Sequence, residues 1–262
     1  MTILRHELKQ GRRMALIWAI GCALIEVLSL SVFPKVKSGM ALINQMLSGM
    51  GALAKAFAAD RLDYGTVMGY YAAEAGNILS LGGGLFAAIL GISMLSKEEG
   101  RHTAEYLFPH PIGRMWVLVQ KFVAMLLLFL TFSVITSGAS WLTLQWLGEP
   151  FDMLDFAQIH IGIYLLMVHL GCLCLCISAF MSRDSIGLGI GLSLGLYFML
   201  LLINMEVGID ALRYLTPYYY TEAAKLVGPD SFQPFFLKLN LGLSAAFLLL
   251  GFGCYATKDL RI

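Results

Sequence analysis

The sequence predicts an all-helical, polytopic membrane protein with six transmembrane helices and with both termini in the cytoplasm. Of its 262 residues, 58% are hydrophobic, and the mean hydropathy is +0.76, well above what a soluble core of this size requires. The apolar residues also gather in long runs. A bilayer core about 30 Å thick is crossed by roughly 20 helical residues, and six runs reach that length.

The six predicted spans follow one another along the whole chain. They cover residues 14–33, 75–95, 122–146, 156–181, 185–205 and 239–256. The first span is too long for the apolar core of a signal peptide and has no small-residue cleavage site after it, so we expect it to remain in the mature protein. It is also the one predicted span with a charged side chain, that of Glu26.

Basic residues near the span ends predict the orientation. Four Lys and Arg residues lie within residues 1–13, and such residues gather on the cytoplasmic side of membrane proteins. With six spans, the connections 96–115 and 182–184 and the C-terminal tail share that side. Residues 148–155 carry three acidic side chains and no basic one, as expected of an outer loop.

Two outer segments are long enough to have structure of their own. Residues 35–74 have apolar side chains at spacings of three and four, which predicts a helix lying along the membrane interface. Those side chains are Met40, Ile43, Met46, Leu47 and Met50. Residues 207–234 contain Pro217 and three consecutive tyrosines, and tyrosine prefers the boundary between lipid and water. A short re-entrant or interfacial helix pair is predicted there.

The connection between the second and third spans, residues 96–115, is a compact charged hairpin in a chain with few charges. A charged turn is followed by the apolar residues Tyr106, Leu107 and Phe108, and prolines then stop the helix. The pattern favours a short amphipathic helix exposed to the cytosol. Periodicity alone leaves a solvated loop open as an alternative.

The stretch EEGRHTAEYLFPHPIGR within this hairpin resembles the signature of ABC-2 type transporter permeases. In that family the segment carries a coupling helix, which docks into a groove of the ATP-binding subunit. The matching positions are Glu98 and Glu99 at the acidic start, followed by Gly100, then Thr103 and Glu105 as the Thr-x-Glu element, and Pro111 and Arg114 at the exit. The chain departs from the common form at Arg101 and His102, inserted before Thr103, and at Ala104 and Tyr106, where leucine is frequent.

The resemblance extends to the six-span layout, to a basic amphipathic elbow segment at residues 1–13, and to YLTPYYY before the last span. It implies a permease subunit that works with ABC-type ATP-binding subunits and with a second copy or a paralogous permease. Export would proceed by alternating access, with the first, second and fifth spans near the shared interface. The implied location is a prokaryotic plasma membrane, with contact to membrane lipid.

The chain itself lacks the signature of a nucleotide motor. An ATPase cradles phosphates with a Gly-rich loop and a Lys, but the sequence contains no Gly-Lys dipeptide and its run Gly82–Gly84 lies within a span. We therefore expect no enzymatic activity here, and ATP and Mg²⁺ on the partner subunit. The net charge of +1 argues against a nucleic-acid partner, which requires a concentrated basic face.

An alternative function is intramembrane serine hydrolysis, because Gly191 to Gly195 fits the Gly-x-Ser-x-Gly motif around Ser193. A base would have to come from His160 or His169. The motif lacks its strand, turn and helix context. Gly187, Gly191 and Gly195 instead repeat every four residues. This glycine ridge favours close helix contact within the permease or across a pair of permeases.

Polar residues within the spans are candidates for a translocation path. Glu26 lies thirteen positions into the first span, and an ionisable group there faces protein or water and often marks a pathway. An internal hydrogen bond is the alternative. Asn77 is the second candidate, although it lies closer to a predicted outer end, where interfacial hydration would also explain it.

The five cysteines all lie in apolar runs, and we interpret them as packing residues. They are Cys22, Cys172, Cys174, Cys176 and Cys254. On a helix only Cys172 and Cys176 share a face, and two soft ligands do not complete a metal site. The sequence therefore predicts no bound metal.

Overall fold

The computed structural model describes residues 2–100, 113–181, 185–228 and 232–257. It is 85% helical, and its described residues form no strand. The helices in chain order are α1 (Thr2–Ser31), α2 (Phe33–Ser38), α3 (Met40–Met50), α4 (Ala52–Ala56), α5 (Val67–Gly100), α6 (Arg114–Leu147), α7 (Met153–Phe180), α8 (Ile186–Asn204), α9 (Pro217–Tyr220) and α10 (Pro234–Thr257). Six of them are long and apolar enough to cross a membrane, which confirms the predicted fold class.

Five of the six long helices are longer than the apolar runs that predicted them, the exception being α8. The first begins at Thr2 and continues without a break to Ser31, so the expected elbow segment forms the first turns of the same helix. α5 starts at Val67 and extends to Gly100, five residues beyond the predicted span. We call the end of the bundle where α5 stops and α6 begins the hairpin end.

α5 lies at the centre of the bundle. It packs against α7, α8 and α1, while α1 pairs with α6 and α10 packs on α7. Small residues on α5 permit these contacts. A Cβ atom at Gly91 would lie 2.7 Å from the carbonyl oxygen of Gly171 on α7, and one at Gly84 would overlap the Tyr218 hydroxyl. Larger side chains would therefore push α5 away from its neighbours.

The short helices α2, α3 and α4 lie at the end of the bundle opposite the hairpin. Their helical conformation agrees with the periodicity of the sequence in this region. Two exposed ion pairs attach them to other connections, with 2.7 Å between Lys37 and Glu149 and 2.6 Å between Lys55 and Glu206. Exposed pairs of this kind add at most about 1 kcal/mol of stability.

Residues 207–228 fold back into the bundle. Two 3₁₀ turns, Asp210–Tyr214 and Ala223–Lys225, flank α9. The Thr216 hydroxyl donates to the Leu196 carbonyl at 2.7 Å, and the Tyr218 hydroxyl lies 2.7 Å from Oγ of Ser193. Both partners belong to the middle of α8, so α9 reaches the central depth of the bundle.

Candidate functional site

Glu7 and Lys121 form an ion pair at the hairpin end, with 2.7 Å between Oε1 and Nζ. The side chains are buried, at 4% and 0% exposure. Nζ of Lys121 also donates to the carbonyl oxygen of Met94 at 3.1 Å. One ammonium thus joins α1, α5 and α6, and its burial is tolerated because it has a countercharge and hydrogen bonds.

Further polar contacts lie at the same end. The backbone amides of Leu95 and Ser96 donate to Oγ of Ser178 on α7 at 3.2 and 3.0 Å. The amide of Leu4 donates to Oε1 of Gln120 at 3.2 Å, which adds a second link between α1 and α6. Four helices are therefore held together by polar contacts at the hairpin end.

A second buried group, the central polar cluster, comprises Glu26, Tyr71, Ser140 and His160. The hydroxyl of Ser140 donates to Oε1 of Glu26, and the Tyr71 hydroxyl lies 2.7 Å from Nε2 of His160. Tyr71 also lies close to Glu26 and Ser140. The cluster brings together α1, α5, α6 and α7.

Glu26 is completely buried within this one chain. Its Oε2 atom has no hydrogen-bond partner among the described residues, and Ser140 is the hydroxyl that contacts Oε1. The structure therefore contains the internal hydrogen bond that the sequence left open as an alternative. A role of Glu26 in the path across the membrane stays a prediction.

Asn77 lies elsewhere, beside a cavity of about 590 Å³ between α3, α4 and α5. Its side-chain amide donates to the Ala73 carbonyl at 2.5 Å and approaches the Phe57 carbonyl at 3.5 Å. The two residues predicted to share a path, Glu26 and Asn77, thus have different polar partners. We call the cavity beside Asn77 the side cavity.

The glycine ridge of α8 makes no helix contact within the described chain. A Cβ atom at Gly187, Gly191 or Gly195 would meet no described atom within 4 Å. Contact with α5 is made instead by Gly189, where a Cβ would lie 3.0 Å from the Ala88 carbonyl oxygen. Packing of the ridge inside the permease is therefore not observed, and contact across a pair stays a prediction.

Ser193 faces the bundle and bonds to Tyr218, as described above. His169 bonds elsewhere, with Nδ1 at 3.3 Å from the Asn240 carbonyl and 3.2 Å from Oγ of Ser244. His160 is engaged by Tyr71. The described residues thus do not assemble the Ser-His pair that a hydrolase needs.

A protein-family model described as "ABC-2 family transporter protein" matches residues 1–226 of this chain. The chain belongs to the ABC-2 transporter family. No curated protein sequence gives a significant match. As an ABC-2 family member with six apolar helices, the chain is a multi-pass membrane protein and the permease component of an ABC transporter. Permeases of this family work with ABC ATP-binding subunits.

In this ABC-2 permease the structure describes only part of the predicted coupling set. Thr103, Glu105, Tyr106, Leu107, Phe108 and Pro111 lie outside the described residues. Glu98, Glu99 and Gly100 form the last turn of α5, and Arg114 begins α6. The coupling set is thus attached to two helices of 34 residues each.

Sequence reasoning missed the Glu7–Lys121 pair and the Tyr71–His160 contact. The partners are 114 and 89 residues apart, so no local pattern connects them. One signal was available. Lys121 immediately precedes the long apolar run of the third span and Glu7 lies in the basic lead-in to the first span, and opposite charges at matching span ends favour a pair when the helices lie side by side.

Proposed function

We propose that this chain is one of two permeases in an ATP-driven exporter, and that residues 98–108 couple it to a separate ATP-binding subunit. The second permease is another copy of this chain or a paralogue. ATP and Mg²⁺ bind to the partner subunit, and this chain performs no covalent chemistry. The transporter works in a prokaryotic plasma membrane with both permease termini in the cytoplasm.

The observation that best supports coupling is the buried Lys121 ammonium. A docking helix transmits motion only if the elements at its base move together. Lys121 bonds to Glu7 on α1 and to Met94 on α5 while belonging to α6. Separating these groups inside the bundle would break a buried ion pair, at a cost of several kcal/mol. Force applied to the hairpin would therefore reach three helices at once.

The open glycine ridge on α8 supports the pairing of two permeases. Gly187, Gly191 and Gly195 are exposed and follow one stripe of the fifth span. Small residues allow two helix backbones to approach closely within lipid. The ridge is thus a suitable surface for the second permease, at one of the spans that the family resemblance assigns to the shared interface.

The coupling proposal is tested with Glu105→Lys and Leu107→Asp, expressed together with the cognate ATP-binding subunit. Losing one interface anchor costs about 2 kcal/mol, which corresponds to a complex weakened about thirtyfold. We expect normal membrane insertion, reduced co-purification of the ATP-binding subunit and loss of transport-linked ATP hydrolysis in reconstituted vesicles.

Glu149→Lys is the matched control, because it makes the same charge change in a loop at the opposite end of the bundle. It should retain co-purification and coupled ATP hydrolysis. If Glu105→Lys and Leu107→Asp also gave wild-type values for both measurements, the hairpin would be a solvated loop and the coupling proposal would be wrong.

A further inference from the structure

The side cavity has walls that suit an apolar molecule of moderate size. Its volume of about 590 Å³ falls within the range of roughly 300 to 1,000 Å³ that is usual for small-molecule sites. Much of the wall comes from α3 and α4. The apolar lining from this side includes Ile43, Met46, Leu47, Met50, Leu53 and Phe57. Methionine side chains are flexible and polarisable, so they adapt to ligands of differing shape.

One wall of the cavity carries an acidic group. Glu74 and Asn77 on α5 line it together with Tyr64. The Tyr64 side chain lies close enough to the Glu74 carboxyl for the two groups to interact. Burial, followed by the charge of Glu74, raises the pKa of the Tyr64 phenol, so its hydroxyl stays protonated. The cavity wall therefore carries a carboxyl group beside a neutral phenol.

Glu74 has no basic partner among the described residues. Lys37 of α2 pairs with Glu149, and Lys55 of α4 pairs with Glu206. The remaining ion pairs in the described part of the chain, Glu7 with Lys121 and Glu222 with Lys225, do not involve Glu74 either. A half-buried carboxylate beside an apolar cavity therefore lacks a countercharge.

Aromatic rings complete the surroundings of this carboxyl. Tyr64, Tyr70 and Tyr197 all line the cavity, and the rings of Tyr64 and Tyr70 meet edge to face with centroids 5.9 Å apart. Aromatic faces attract organic cations, with an energy of about 0.5 to 2 kcal/mol depending on desolvation. A carboxylate and aromatic rings at one site both favour a positive ligand.

We propose that the side cavity binds a hydrophobic cation, a molecule with one positive centre on an apolar body, and that Glu74 supplies its countercharge. The apolar body would lie against α3 and α4, and the positive centre would lie beside Glu74 and the tyrosines. Basic residues predict that this end of the bundle faces outward. The statement that hydrophobic cations are the cargo of the exporter rests on the proposed function. The binding site itself is formed by this chain alone.

The test measures saturable binding to the purified permease in neutral maltoside detergent, without an ATP-binding subunit. The probes are tetraphenylphosphonium and tetraphenylborate, which have nearly the same size and shape but opposite charge. We expect the cation to bind at least about tenfold more tightly than the anion, as a close ion contact near a protein surface predicts. Equal binding of the two probes, or preference for the anion, would overturn the proposal and indicate a site for lipid chains.

Two variants locate the binding. Glu74→Gln keeps the shape of the side chain and should weaken cation binding about tenfold without weakening anion binding. Met46→Trp fills the cavity and should weaken binding of the cation regardless of Glu74. The matched controls are Glu149→Gln and Met153→Trp, since Glu149 is another carboxylate at this end and Met153 is as exposed as Met46, both at 58%. The controls should bind as the wild type does.

Wild-type cation affinity in both Glu74→Gln and Met46→Trp would refute the site. If Glu74→Gln failed to fold, the charge selectivity of the wild type and the Met46→Trp result would still show whether the side cavity binds a hydrophobic cation. Binding is measured without ATP, so loss of binding refutes the side cavity and leaves the coupling proposal standing. If the hairpin variants failed to uncouple ATP hydrolysis, the coupling proposal would be wrong and the proposed binding site in the side cavity would be unaffected.

Discussion

Glu7 and Glu26 lie on the same helix and face the same neighbour, yet their surroundings differ. Each contacts the α6 residue that follows it by 114 positions, Lys121 in one case and Ser140 in the other. Both side chains are buried, at 4% and 0% exposure. Glu7 thus faces a cation, whereas Glu26 faces a hydroxyl.

The difference separates two kinds of helix contact. An ion pair in a low-dielectric interior holds its partners strongly, because separating them leaves a buried charge. A hydrogen bond to a neutral hydroxyl contributes only about 1 kcal/mol and is exchanged more readily. We therefore expect α1 and α6 to move as one unit at the hairpin end and to slide or tilt more easily near the central polar cluster.

The largest effect is expected for Lys121→Met, which removes the buried cation that faces Glu7. The permease should lose about 3 to 5 kcal/mol of stability, seen as a lower thermal unfolding temperature in detergent. The double variant Glu7→Leu with Lys121→Met removes both charges and should recover much of the loss. A double variant no more stable than the single one would show that the ion pair is not the cause.

An intermediate effect is expected for Ser140→Ala, which leaves Oε1 of Glu26 without its hydroxyl partner. A buried polar group without a hydrogen bond costs about 1 to 3 kcal/mol. Ser133→Ala is the control on the same helix, because Oγ of Ser133 is buried without a partner among the described residues and its removal should be neutral or stabilising. Equal unfolding temperatures for the two variants would contradict the assigned role of Ser140.

The smallest effect is expected for Glu26→Gln. The glutamine keeps the size of the side chain and can bond to Ser140 without placing a charge in the bundle, so stability should change by less than about 1 kcal/mol. A loss as large as that of Lys121→Met would mean that Glu26 is held by a cation, and the contrast with Glu7 would disappear. Reduced transport in vesicles with unchanged stability would support the predicted place of Glu26 on the translocation path.

The long helices could be predicted from the sequence because membrane insertion is read from local composition. Each span is a run of apolar residues, and backbone groups within lipid must bond inside their own helix. The spacing of apolar residues that predicts α3 is likewise contained in consecutive residues. The helix ends were less predictable, since Thr2 to Arg13 are polar and Val67 to Glu74 end in a charged residue, yet both stretches belong to the helices α1 and α5.

The glycine pattern of α8 shows that a local sequence pattern does not predict which face of a helix meets its neighbour. The four-residue repeat of Gly187, Gly191 and Gly195 identified a flat stripe on the helix, but α5 lies against Gly189 instead. Glycines occur on more than one face of this helix, so composition cannot select the face that meets a neighbour. That choice depends on the shapes of all the helices around it.

The sequence by itself determined the fold class, the number of spans and the family, because each of these is recorded in consecutive residues. Only the tertiary structure decided that Lys121 meets Glu7, that Tyr71 meets His160, and that Glu74 borders a cavity with tyrosines. Such contacts join residues far apart in the chain. They are fixed when whole helices pack, since the position of each side chain then depends on the register of every neighbouring helix.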